Sequence, residues 1–211
     1  MTGVQTCALP ICSAAGLLHL VDDVLALARA EVGKVELQIA PLALTELVEQ
    51  VTASVQWMLG TKQLTMTTTV DAATIDSDRR LLGHVLVNLV ANAAKFTPAG
   101  GRIEVRAHRQ GDRAVLAVTD TGIGIAAADQ QAIFEAFRQV DGTDERTYGG
   151  VGLGLALVKR LTAALGGTVT VASELGHGAT FTVDVPAVAP PSRRAGDGVE
   201  LAAERQPVEP T

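Results

Sequence analysis

Asp120–Leu155, DTGIGIAAADQQAIFEAFRQVDGTDERTYGGVGLGL, holds two glycine clusters with an acid at its head and a polar segment between them. Glycine reaches positive φ and lets another group approach the backbone closely. Gly122 and Gly124, then Gly149, Gly150, Gly152 and Gly154, therefore mark a chain folded around a bound molecule. Exposed N–H groups in such loops favour phosphate. Asp120 follows a strand-like run and enters a tight turn, where a carboxylate either accepts a hydrogen bond from an exocyclic amine or caps the turn. The piece from Gly122 to Ala127 fits a G-x-G-x-x-A variant of the dinucleotide fingerprint, but that fingerprint opens the first unit of a parallel βαβ fold, and here several elements precede it. No Walker-type G-x-x-x-x-G-K-[ST] occurs. Gly150-Val151-Gly152-Leu153-Gly154 leads straight into a helix, whose unpaired first N–H groups and dipole favour an anion. Close helix packing explains one or two of these glycines and is a poor account of three at every second position. Gln139–Tyr148 is polar without an apolar period and reads as a loop that can close as a lid.

Upstream, RRLLGHVLVNLVANAAKF predicts a helix over Arg79–Phe96, capped by Asp78 or Ser77. At 100° per residue Leu82, Val85, Leu86, Leu89 and Ala93 gather on one side, and His84, Asn88, Asn92 and Lys95 on another. Two Asn, mediocre helix formers, are an unusual choice for a merely solvated face, although taken alone these residues still read slightly better as one. Strands are expected at Leu64–Val70, Arg102–His108, Arg113–Thr119, Thr168–Ser173 and Ala179–Val185, with turns at Gln110–Asp112 and Gly176–Gly178. A helix is expected from Gly152 to Leu165. Extended chain near Val35–Ala40 leads to another helix, Thr45–Met58, with Thr45 as N-cap. Ser13–Glu31 carries Leu17, Leu20, Val21, Val24, Leu27 and Ala28 at helical spacing. From Ala187 onward Pro, Ala and charge mix without an apolar period, as in a linker or disordered tail.

The 211 residues, 47% hydrophobic and 19% charged, suffice for one core with extras. A net charge of -6 gives no general affinity for nucleic acid, so any phosphate site must be built locally. No apolar run approaches the roughly 20 residues of a membrane span. Both cysteines, Cys7 and Cys12, lie in MTGVQTCALPIC, whose first eleven residues match the translation of a sequencing adapter. Residues 1–12 are accordingly read as an artefact and set aside.

Five stretches in order, NLVANAAKFTPAGG (Asn88–Gly101), DTGIGI (Asp120–Ile125), IFEAFRQVD (Ile133–Asp141), YGGVGLGLALVKRL (Tyr148–Leu161) and GHGATFTVDVP (Gly176–Pro186), resemble the ATP-binding catalytic domain of sensor histidine kinases, in the GHKL ATPase superfamily. The resemblance implies a two-layer α/β sandwich, a Bergerat-type mixed sheet with helices on one face, over residues 34–186. Residues 13–33 would be the remnant second helix of a dimerisation and phosphoacceptor hairpin, and 187–211 a tail or linker. It implies ATP and Mg²⁺ as cofactors. Asp120 would recognise the adenine amino group, Asn92 would bind Mg²⁺ with help from Asn88, and Lys95 would contact phosphate. The implied nucleotide-binding set is Asn88, Asn92, Lys95, Asp120, Gly122, Gly124, Gly150, Gly152, Gly154 and Leu155. Val151 departs from the family, which often has Thr there. An amide at Asn88 cannot take a proton from water at neutral pH, so phosphoryl transfer to a side chain fits better than hydrolysis. The implied partners are a response regulator or receiver domain and a second copy joined through dimerisation helices, with a cytoplasmic location. The acceptor His should be followed by an acid, but His19, His84, His108 and His177 precede Leu, Val, Arg and Gly. This predicts an N-terminally truncated kinase lacking its acceptor. The other readings are a nucleotide-binding regulator without kinase activity and an anti-sigma type Ser/Thr kinase of the same superfamily. The helix over residues 13–31 favours the histidine kinase.

Overall fold

Alternation in RIEVRAHRQ and RAVLAVTD turns Ile103, Val105, Ala107, Ala114, Leu116 and Val118 to one side, and each of them is at most 1% exposed. The computed structural model of the chain describes residues 36–136 and 152–188. Its elements are β1 (Ala40–Ala43), α1 (Leu44–Thr61), β2 (Thr65–Val70), β3 (Thr74–Ser77), α2 (Arg79–Phe96), β4 (Arg102–Gln110), β5 (Arg113–Asp120), a 3₁₀ turn (Ala132–Phe134), α3 (Gly154–Ala164), β6 (Thr168–Ser173) and β7 (Ala179–Pro186). Five strands form one mixed sheet in the order β2-β4-β5-β7-β6, parallel between β2 and β4 and antiparallel elsewhere. β1 and β3 form a separate antiparallel pair. All three helices pack on the face that carries Ile103 and Leu116. The opposite face holds polar cross-strand pairs, Thr119 with Thr180 at 3.0 Å and Arg113 with Asp184 at 2.6 Å. This is the two-layer α/β sandwich that the motifs imply.

Where the bounds shift, local chemistry gives the reason. The extended segment sits at Ala40–Ala43 rather than 35–40, with Pro41 in a two-stranded pair that has room for a residue without an N–H. Helix α1 starts at Leu44, so Thr45 is not its cap; the first N–H, that of Leu44, donates instead to Ala73 O at 3.0 Å. β3 and the 3₁₀ turn have no counterpart among the elements the sequence predicts, and α3 begins at Gly154 because Gly152, at φ +73, is left-handed. Ala187 still belongs to the fold, since its N–H donates to Asp112 O and its carbonyl accepts from Asp76 N. Residues 1–12, the helix expected over 13–31, the lid at 139–148 and the tail from 189 lie outside the described residues.

Helix α2 spans the bounds its periodicity predicts, and Asp78 caps it. The buried carboxylate accepts from Arg80 N at 2.9 Å, Leu81 N at 3.3 Å and Gln38 N at 2.8 Å, and pairs with the Arg80 guanidinium at 3.0 Å. Asp78→Ala should therefore cost about 2 kcal/mol, since cap loss is joined by an orphaned Gln38 N–H. Urea denaturation of the two proteins checks this, and an unchanged midpoint would count against the cap's importance.

Candidate functional site

Helix α2 passes Asn88, Asn92 and Lys95 along one half-buried face. The Asn88 Nδ2 donates to His84 O at 3.1 Å within the helix, so its amide oxygen is the end left to point away. That oxygen meets the start of α3. A methyl added at Gly154 would lie 2.9 Å from Asn88 Oδ1 and 3.7 Å from Asn92 Nδ2. Only the smallest residue lets the first turn of α3 come this close to both amides. Leu153, 3% exposed, anchors the approach in the core, and Leu155 packs against its edge. The structure thus brings Asn88, Asn92 and Gly154 together. Gly152 stands just before them, while Gly150 lies outside the described residues.

Asp120 closes β5 and is 7% exposed. Its Oδ1 accepts from Gly122 N at 2.7 Å, a tight turn of the kind the motif predicts. Burial pushes the carboxyl above the usual carboxylate range, and the N–H groups of Gly122 and Ala179 offset this in part. Gly122 has a packing reason to be glycine, because a Cβ would stand 2.6 Å from Phe96 O. Ile123 N donates to that same carbonyl at 3.3 Å, so the acid turn docks on the end of α2 beside Lys95. Burial lowers the pKa of Lys95, whose Nζ lies 4.7 Å from the Phe96 ring centroid.

The chain after the turn is clamped to the β6–β7 corner. Gly124, at φ +70, leaves 2.0 Å between an imagined Cβ and Glu174 O, and Gly176 N donates to Ile123 O at 2.7 Å. Ser173 Oγ accepts from Ile125 N at 2.8 Å and donates to Gly178 O at 2.6 Å. Gln130 Nε2 reaches Ile125 O at 3.2 Å and Ser173 O at 2.8 Å. Neither side chain stood out in the sequence, because Ser at a strand end and Gln in a loop carry no spacing signal.

Hard oxygen ligands of the Asn type suit Mg²⁺, which keeps waters and shares substrate phosphates. Among the described residues no three His, Cys, Asp or Glu cluster, and the side-chain oxygen that faces Gly154 is that of the Asn88 amide. Asn88 Oδ1, turned toward the start of α3, fits the role of such an oxygen ligand.

Residues 77–189, more than half of the chain, match the family described as histidine kinase-, DNA gyrase B- and HSP90-like ATPase. The chain belongs to this family. Among its ATPase relatives, the circadian input-output histidine kinase CikA of Synechococcus elongatus is 41% identical over 174 residues, covering 81% of this chain and 23% of that protein. The histidine protein kinase DivJ of Caulobacter vibrioides is 34% identical over 177 residues, covering 83% and 30%. The chain therefore spans about a quarter of the length of these relatives. Full-length ShkA, solved in complex with AMPPNP, superposes with a TM-score of 0.72 at 36% identity, over 88% of this chain and 37% of that one. The Acinetobacter baumannii histidine kinase AdeS gives the same TM-score of 0.72 at 23% identity, over 89% and 87%, which shows the shared fold alone.

Proposed function

We propose that residues 34–186 are the ATP-binding catalytic domain of a two-component sensor histidine kinase, and that residues 13–33 are the remnant of its dimerisation hairpin. The observation that carries this is the meeting of Asn88 and Asn92 with Gly154 between α2 and α3, with the turn of the buried Asp120 docked on the end of α2. Asp120 accepts from the adenine amino group, with Gly122 and Gly124 shaping its turn. Lys95 contacts phosphate, and Gly150, Gly152, Gly154 and Leu155 form the phosphate end. Asn92 binds Mg²⁺ with Asn88 beside it; the ion would supply charge neutralisation along the phosphates. The AMPPNP complex of the 36%-identical ShkA supports ATP as the ligand.

Asn88 stands where water activation would need a base, and an amide has no proton affinity to offer at neutral pH. The domain accordingly positions a nucleotide for attack by an imidazole nitrogen. In that transfer the bond from the γ-phosphorus to the bridging oxygen breaks, a P–N bond forms, and ADP leaves. The response regulator or receiver domain, the dimeric partner and the cytoplasmic setting belong to the longer protein in this reading.

The 211-residue chain should bind Mg-ATP yet incorporate no γ-phosphate into itself. Incubation with γ-labelled ATP followed by acid and base treatment tests this. Acid-labile, base-stable label on His19, His84, His108 or His177 would show that an acceptor is present after all. Absence of any Mg-ATP binding in calorimetry would remove the functional reading itself.

A further inference from the structure

An α-helix leaves its last four carbonyls without partners of its own, in α2 those of Ala93, Ala94, Lys95 and Phe96. Each finds a donor. Ala93 O accepts from Thr97 N at 3.0 Å and Thr97 Oγ1 at 2.6 Å. Phe96 O accepts from Ile123 N of the acid turn. The middle two are taken by one side chain from a different part of the fold. Lys62, just past α1, donates from Nζ to Ala94 O at 2.9 Å and Lys95 O at 2.5 Å, and reaches Thr97 O at 3.2 Å. A cation at a helix C-terminus also meets the negative end of the dipole.

The reach of Lys62 is set by its own backbone. Lys62 N donates to Leu59 O, Gly100 N donates to Lys62 O, and the next residue, Gln63, sits at φ 54, a left-handed conformation that turns the chain sharply. Desolvation by partial burial lowers the pKa of this ammonium. One side chain thus ties the α1–β2 corner to the helix turn that carries Lys95 and abuts the Asp120 turn.

We infer that Lys62 is a positioning residue of the nucleotide site, fixing the last turn of α2 so that Lys95 is held toward the phosphates. This rests on the ATP-site reading above. Lys62 itself touches neither metal nor nucleotide in that reading. Its removal leaves the carbonyls of Ala94 and Lys95 without their donor, and the turn that presents Lys95 loosens.

A double-mutant cycle on the full 211-residue chain tests it, read as Kd for Mg-ATP by calorimetry together with thermal midpoints. Lys62→Met should weaken binding on the order of tenfold, as should Lys95→Met, while the double variant should bind within about threefold of Lys95→Met alone. Val55→Ala, a core change in α1, serves as a control for destabilisation and should leave Kd within about threefold of the parent. If Lys62→Met does not fold, Lys62→Gln, with one amide donor kept, replaces it in the cycle. Independent, multiplying losses in the double variant overturn the inference, as does a Lys62 variant whose binding falls no further than that of Val55→Ala. A parent chain that binds no Mg-ATP overturns the ATP-site reading instead, so the two failures are distinguishable.

Discussion

Asp120→Asn should weaken ATP binding roughly ten- to a hundredfold, with a thermal midpoint at or above that of the parent. In the proposed site the affinity loss comes from removing a charge-assisted hydrogen bond to the adenine amine, worth about 1.5–3 kcal/mol. The stability expectation has the opposite sign. The carboxyl is buried at the end of β5 and its pKa is raised by desolvation, so the ionised form is the one the fold tolerates less well. An amide oxygen keeps the bond from Gly122 N without that penalty. The pH dependence follows the same sign. For an acid with a raised folded pKa, its contribution to stability is full below the unfolded pKa and is lost as pH rises through the folded one. Affinity for ATP runs the other way, falling as pH drops through the raised pKa, because the amine needs a carboxylate. Calorimetry at several pH values on both proteins checks all of this. Equal affinity for the two would end the adenine assignment.

Gly178→Ala is expected to be among the most damaging single methyls. Gly178 sits at φ +79, and an added Cβ would stand 2.0 Å from the carbonyl oxygen of Asp120. That neighbour is main chain at the end of β5, where the adjoining pair Thr119 with Thr180 fixes β5 against β7. It cannot rotate away, so one of the strands must shift and disturb both the acid turn and the hydrogen bond from Ser173 Oγ to Gly178 O. We expect a loss of about 3 kcal/mol or more, a fall in thermal midpoint on the order of 10 °C, and ATP binding lost with it. Gly111→Ala is the comparison. Gly111 has φ +61 but nothing within 4 Å of its imagined Cβ, so it bears only the backbone cost of about 1 kcal/mol. Equal midpoints for the two variants, measured by circular dichroism, would show that the contact with Asp120 O is harmless.

Helix α2 was readable from the sequence because three signals agreed there: an Asp cap, an unbroken apolar period and a polar stripe on one flank. β4 and β5 were readable for a similar reason, since strict alternation meets a two-residue Gly111-Asp112 turn. β3 was not, because four residues, TIDS, carry no period, and the pair to β1 joins positions as far apart as Ala40 and Ser77. Part of the site was equally open to reading. Asn88 and Asn92 looked odd for a solvated face, and Gly154 against them gives the oddity a physical cause. Lys62 and Ser173 were hidden, because what they do depends on chain segments more than 30 residues away: Ala94 for Lys62, and Ile125 for Ser173. Gly124 has the Glu174 carbonyl at its back, a packing demand for glycine that the sequence alone does not show.

Helix α2 is tied at both ends, by Asp78 to the chain arriving through Gln38, by Lys62 to the α1–β2 corner and by Ile123 to the acid turn. Eighteen residues at 1.5 Å rise make a strut of about 27 Å. Mechanically, a strut pinned at its ends cannot absorb a push along its axis by fraying. A displacement of the chain at Gln38 that leaves the Asp78 joint intact acts on the same rigid element that carries Lys95.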